Sequence, residues 1–131
     1  MGCGGDPHAQ AHKRVLNEFE QIWARGEEAA ETKNIPEYKR AVLQVYSEAS
    51  RISLCGCSPE FRRDFVDLIN ALGEFYQAVD AMPDGHFDAI IRVLSNAVRG
   101  ELDGGVSRME NNLIRARARL MTARAEMKKY E

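Results

Sequence analysis

The segment SPEFRRDFVDLINALGEFYQAV, residues 58–79, decides the fold class. Ser58 offers a side-chain oxygen to the first unpaired amides of a helix. Pro59 suits the first helical position, where its missing N–H costs nothing, and Glu60 puts negative charge at the positive end of the helix dipole. Phe61, Phe65, Leu68, Leu72, Phe75, Tyr76 and Val79 then recur at three- and four-residue spacing, which is one face of an α-helix.

The same logic extends outward in both directions. Asp6-Pro7 reads as a cap and first-turn proline, and Val15, Phe19, Ile22, Trp23, Gly26 and Ala30 form an apolar stripe with Glu18, Glu20, Glu27, Glu28 and Glu31 outside it. This predicts a first helix over residues 7–33. Asn34-Ile35-Pro36 interrupts it, because proline disfavours the helical conformation of the residue before it. A second helix is expected over residues 36–52, turning Tyr38, Val42, Val45, Tyr46 and Ala49 inward. Beyond the third helix, Met82-Pro83-Asp84-Gly85 is a turn by composition. Phe87, Ile90, Ile91, Leu94, Val98 and Leu102 predict a fourth helix, and Asp103-Gly104-Gly105 either reverses or kinks the chain. Residues 106–130, rich in Arg and Ala and lacking Gly and Pro, read as a fifth. No run alternates like a β-strand. Short connections between long amphipathic helices predict an all-α chain, an antiparallel four- to five-helix bundle over residues 7–131 preceded by a flexible tail or anchor segment at 1–6.

Composition bounds what such a chain does. Its 131 residues are 44% hydrophobic and 29% charged, which suits one globular domain with a core of its own. A net charge of −2 argues against a general nucleic-acid binder, which needs a concentrated basic surface. No apolar run approaches the roughly 18 residues of a membrane-spanning helix.

Met1-Gly2-Cys3-Gly4-Gly5 resembles the processing point of bacterial lipoproteins, where the signal region ends in small residues and the next cysteine receives the lipid. The resemblance implies that Cys3 is a lipid anchor and that the chain works on the periplasmic face of a membrane in the bacterial cell envelope. A second reading is a cytoplasmic protein myristoylated on Gly2 and palmitoylated on Cys3, although that pattern wants Ser or Thr where this chain has Asp6. A third is a flexible tail with an unmodified thiol. The stretch Cys57-Ser58-Pro59-Glu60-Phe61-Arg62-Arg63-Asp64-Phe65, continuing to Ile69, Ala71 and Leu72, is similar to a Cys-Pro-acidic-Phe segment opening a helix in small exported bacterial proteins of unknown function, with Ser58 an extra residue. It implies the same compartment and no catalytic role.

Four residues are candidates for chemistry. Cys55-Gly56-Cys57 places two thiols one residue apart, and Gly permits the sharp turn that a disulfide between them needs. Such a small ring would be strained and easily reduced. The alternative is two small residues packed beneath a loop. His8 and His12, four residues apart, share a helix face. In an antiparallel arrangement the start of the first helix meets the junction of the second and third, so His8, His12, Cys55 and Cys57 would offer two nitrogens and two sulfurs to zinc or copper. No C-x-x-C-H haem attachment, G-x-S-x-G, phosphate loop or H-E-x-x-H is present, so the sequence names no cofactor and supports no catalytic set. Asp64 with Asp67, and Asp80 with Asp84 and Asp88, fit caps and solvated faces.

The C-terminal helix carries the sharpest charge asymmetry. Residues 106–131 hold seven basic and three acidic side chains, against eleven and seventeen in the rest. Around a stripe of Val106, Met109, Leu113, Leu120 and Met127, Arg108, Arg115 and Arg119 line one edge and Arg117, Arg124 and Lys128 the other. Such charges ordinarily lay their stems along the core and pair with acids of a neighbouring helix. They also suit an acidic protein partner or an anionic membrane surface. The leading expectation is a lipid-anchored envelope protein acting by protein–protein interaction or scaffolding. The alternative is a redox or metal-handling bundle built on the two cysteines and two histidines.

Overall fold

The computed structural model describes residues 7–31, 35–81 and 108–131. The tail with Cys3, the turn at residues 82–85, the apolar stripe of residues 87–102 and Asp103-Gly104-Gly105 lie outside the described residues. Every regular element among them is helical, and no strand occurs among them. Helix α1 is Pro7–Ala29, α2 is Ile35–Ser50, α3 is Pro59–Asp80 and α4 is Arg108–Glu126, followed by a 3₁₀ turn at Met127–Tyr130.

The start of α3 follows its sequence signals closely. Ser58 sits in extended conformation at the cap, its hydroxyl oxygen accepts the Phe61 amide at 3.1 Å, and Pro59 occupies the first turn. Phe61, Phe65, Leu68, Leu72, Phe75 and Val79 are buried, joined by Ala71 and Gly73. Other boundaries differ. The first helix ends at Ala29 rather than residue 33, and its last turn tightens, with the Glu31 amide donating to the Glu28 carbonyl at 3.3 Å. Three-residue hydrogen bonds of this kind satisfy terminal carbonyls at the cost of helical continuity. The same tightening closes α2, where the Arg51 and Ile52 amides reach Glu48 and Ala49. The basic C-terminal stretch is not α-helical to its end: a 3₁₀ turn buries Met127 and brings Tyr130 against α1 and α3.

The helices pack α1 on α2, α2 on α3 and α3 on α4. The guanidinium of Arg25 in α1 donates to Glu48 near the end of α2 at 2.8 Å, and Lys39 near the start of α2 donates to the Asp80 carbonyl at the end of α3 at 3.0 Å. Phe19, Phe61 and Phe65 lie fully inside with Val15, Leu68, Val79, Leu113 and Leu120. Phe19 meets Phe65 edge to face at 6.0 Å, so α1 and α3 share one aromatic core. Each large apolar side chain so buried contributes about 1.5–3 kcal/mol, which makes these contacts the principal source of stability.

Two glycines set how closely α2 is approached. A methyl built on Gly26 of α1 would overlap Val45 Cγ2, and one on Gly73 of α3 would lie 3.0 Å from the Tyr46 ring. Neighbouring residues of α2 therefore fit into notches on two different helices.

Candidate functional site

At one end of the molecule, three side chains of α1 hold the loop that bears the cysteines. The loop itself is a tight turn: the Cys57 amide donates to the Leu54 carbonyl at 3.1 Å, and Gly56 adopts φ +87°, a conformation costly for residues with a Cβ. His8 Nδ1 lies 2.8 Å from the Gly56 carbonyl oxygen. A carbonyl only accepts, so that nitrogen carries a proton. His12 Nε2 lies 3.1 Å from the Ser58 amide nitrogen, which only donates, so that nitrogen is bare. One guanidinium nitrogen of Arg14 donates to both the Ser53 and Cys55 carbonyls, at 3.0 and 3.2 Å, while another reaches Glu18 at 3.4 Å. These carbonyls are left over by the loop's tight geometry, and α1 satisfies them.

His8 and His12 thus reach the loop that carries Cys55 and Cys57 through its backbone, at the Gly56 carbonyl and the Ser58 amide. Among the described residues no three His, Cys, Asp or Glu side chains gather as a metal-ligand cluster. The two thiols are not joined in a disulfide: Cys55 is exposed and Cys57 is buried. Burial pushes the Cys57 thiol up, against the opposing pull of the Arg14 and Arg62 guanidiniums. It therefore stays protonated at neutral pH, which is poor preparation for nucleophilic work.

His12 is also the hinge of an aromatic corner. Its ring stacks on Phe61 at 4.2 Å and 6°, meets Tyr130 edge-on at 5.2 Å, and has the His8 ring 6.0 Å away. Tyr130 in turn donates its hydroxyl to Asp64 at 2.6 Å, and Lys129 Nζ lies 3.0 Å from the same carboxylate oxygen. The hydrogen bond from Tyr130, then that from Lys129, holds the Asp64 carboxyl below its ordinary value of 3.8. Burial and the Asp64 bond push the Tyr130 phenol up. Asp64 thus serves as a structural acceptor rather than as an acid or base.

The six basic residues expected at a contact face divide. Arg119 pairs with Glu74 of α3. Arg124 engages Glu20 of α1 through two nitrogens, at 2.7 and 3.3 Å, and lies 4.4 Å over the Trp23 ring. Both therefore bind the C-terminal helix to its own neighbours. Arg115 and Lys128 are exposed, and Arg117 is half-buried near Tyr38, whose phenol burial pushes up to about 12. Arg108 opens α4, and its side chain lies outside the described set.

Beneath Trp23 is a mostly apolar recess of about 100 Å³, lined by Ala30, Tyr38, Phe75 and Leu120 among others. Trp23 Nε1 is buried with no hydrogen-bond partner. No described helix is long and apolar enough to cross a membrane.

Several of these contacts are invisible to pattern reading. The shared face of His8 and His12 is in the sequence, but their loop partners are backbone atoms. The Tyr130–Asp64 bond joins residues 66 positions apart with no spacing rule between them. Comparison with family models, curated proteins and solved structures finds no match for this chain.

Proposed function

We propose that this chain is a lipid-anchored protein of the bacterial cell envelope, held at the periplasmic face of a membrane through Cys3, with a body that binds a partner protein or scaffolds an assembly. The body is read as a single antiparallel bundle of four to five helices. Support for that arrangement comes from the pairing of opposite ends: Arg14 early in α1 with Ser53 and Cys55 just beyond α2, and Lys39 early in α2 with Asp80 at the end of α3.

The observation that carries the reading is the fastening of the first two turns of α1. Five residues after Cys3, His8 bonds the Gly56 carbonyl, and His12 and Arg14 bond the same loop. A tether attached at Cys3 would pull on a helix end fastened by three side chains to the loop of residues 53–58 rather than on a fraying one. The polar groups nearby are spent on structure, which suits an interaction module better than a catalyst. Within the basic set, Arg115, Arg117 and Lys128 are the candidates for partner contact, since Arg119 and Arg124 pair within the chain.

Intact mass of the protein from its own cells, extracted in detergent, with fragmentation of the N-terminal peptide, tests this. The expected result is Cys3 as first residue with a diacylglyceryl-type addition. An unmodified terminus at Met1 or Gly2 overturns it.

The convergence of both histidines on the cysteine loop favours one second reading, a redox or metal-handling bundle. It predicts stoichiometric zinc or copper in protein purified without a histidine tag, or a reversible thiol count at Cys55 and Cys57. Absence of both disposes of it.

A further inference from the structure

We propose that the end of the molecule formed by the start of α1, the loop of residues 51–58, the start of α3 and the C-terminal 3₁₀ turn docks on the anionic phospholipid headgroups of the membrane that holds Cys3. This rests on the reading of Cys3 as a lipid anchor. Contacts on all sides bring the four elements together. His8 bonds the Gly56 carbonyl at 2.8 Å, His12 accepts the Ser58 amide at 3.1 Å, and the Tyr130 ring lies 5.2 Å from that of His12 and 4.8 Å from that of Phe61.

The reach of the tether fixes which surface the lipid meets. Cys3 is four residues before Pro7, where α1 begins, and a fully extended chain spans at most about 14 Å in that many steps. Because His8 touches Gly56, the loop lies level with the first turn of α1. A lipid on Cys3 therefore brings both to a distance comparable with the screening length, about 10 Å at 0.1 M salt, over which a charged bilayer is felt.

The charges at this end suit that neighbour. Lys13, Arg51, Arg62 and Lys128 are exposed, and none of them pairs with an acid among the described residues. Arg14 spends its N–H groups on the Ser53 and Cys55 carbonyls, which are neutral, with Glu18 3.4 Å away. Arg14 and Arg62 both act on the Cys57 thiol, which places them about the same loop. The acids of this end gather instead on the 3₁₀ turn. Glu60, Asp64 and Glu126 surround Lys129 at 3.9, 3.0 and 3.8 Å, and Arg63 lies 4.0 Å from Asp64. Glu131, exposed beyond the turn, has no cation partner among the described residues. Of the six basic residues set along the C-terminal helix, this end takes Lys128 and leaves Arg115 and Arg117 to a protein partner. Each basic side chain held at an anionic bilayer strengthens binding about fivefold.

Co-sedimentation with lipid vesicles tests this on the full chain made without lipid on Cys3. The outcome is then independent of whether that cysteine is acylated in its own cells, which intact mass decides separately. The probes are vesicles of phosphatidylcholine alone and of phosphatidylcholine with about one third phosphatidylglycerol, in about 0.1 M sodium chloride. The chain is expected to bind the anionic vesicles at millimolar lipid, at least about tenfold more strongly than the neutral ones, and to lose about fivefold in Arg51→Gln and in Arg62→Gln. Arg40 is also exposed but lies eleven residues, about 16 Å, back along α2 from Arg51. Arg40→Gln should therefore change binding by less than about twofold, since that charge is screened from a bilayer at the other end. Equal binding to the two kinds of vesicle, a loss in Arg40→Gln matching that in Arg51→Gln, or no loss in Arg51→Gln and Arg62→Gln overturns the proposal. The comparison of vesicles with wild-type protein stands even if a variant does not fold.

Discussion

Asp64 shows how one side chain can bind distant parts of the chain while remaining partly wet. Its carboxylate takes the Tyr130 hydroxyl at 2.6 Å and Lys129 at 3.0 Å, so the C-terminal turn is fixed to the first turns of α3. Because the folded carboxyl titrates below 3.8, its contribution to stability is complete above the ordinary aspartate range and is lost as pH falls through the depressed value. Tyr130→Phe keeps the ring against His12 and Phe61 and removes the largest cause of the depression. Urea midpoints at pH 7 and pH 3 should therefore lie closer together in the variant, with the loss appearing at pH 7. A pH response unchanged from wild type would show that the bond does not matter in solution. Ser58 was legible from its neighbours alone, since a cap acts over three residues. Asp64 read as an exposed acid, because nothing local announces a tyrosine 66 positions away.

Among the described helices, α2 is closely fitted against two neighbours. Gly26 of α1 admits Val45, and Gly73 of α3 admits Tyr46. Gly26→Ala sets a gain in helix propensity of about 1 kcal/mol against overpacking of about 1–3 kcal/mol. The net expectation is a loss of about 1 kcal/mol by urea denaturation, since the overlap with Val45 is with a short, stiff side chain. Adding Val45→Ala should recover part of that loss, giving a favourable coupling in a double-mutant cycle. Simple additivity would contradict the notch. The periodicity of α1, α2 and α3 was readable because apolar stripes leave a 3.6-residue signature. The 3₁₀ turn at Met127–Tyr130 was not, because no glycine or proline marks it and tertiary contacts with α1 and α3 shape it.

For the whole molecule, burial outweighs surface charge. The ion pairs Arg25–Glu48, Arg119–Glu74 and Arg124–Glu20 are all substantially exposed. Exposed pairs contribute about 0–1 kcal/mol each and are screened by salt. Thermal unfolding in 0.05 and 1 M sodium chloride should accordingly differ by only a few degrees. A fall large enough to approach unfolding would place the stability in charge networks instead of the aromatic core. The class of fold was open to reading because hydrophobic spacing is a global signal repeated in each helix. The candidate site was only half open, since its residues could be named but their backbone partners follow from one unusual turn at Gly56. The notches at Gly26 and Gly73 also bear on how this chain has been free to change over evolutionary time. A larger residue at 26 is tolerable only alongside a smaller one at 45, so related chains should show reciprocal size at that pair even where little else in their sequences agrees, whereas the end of the Tyr46 side chain need give only slightly to admit a methyl at 73.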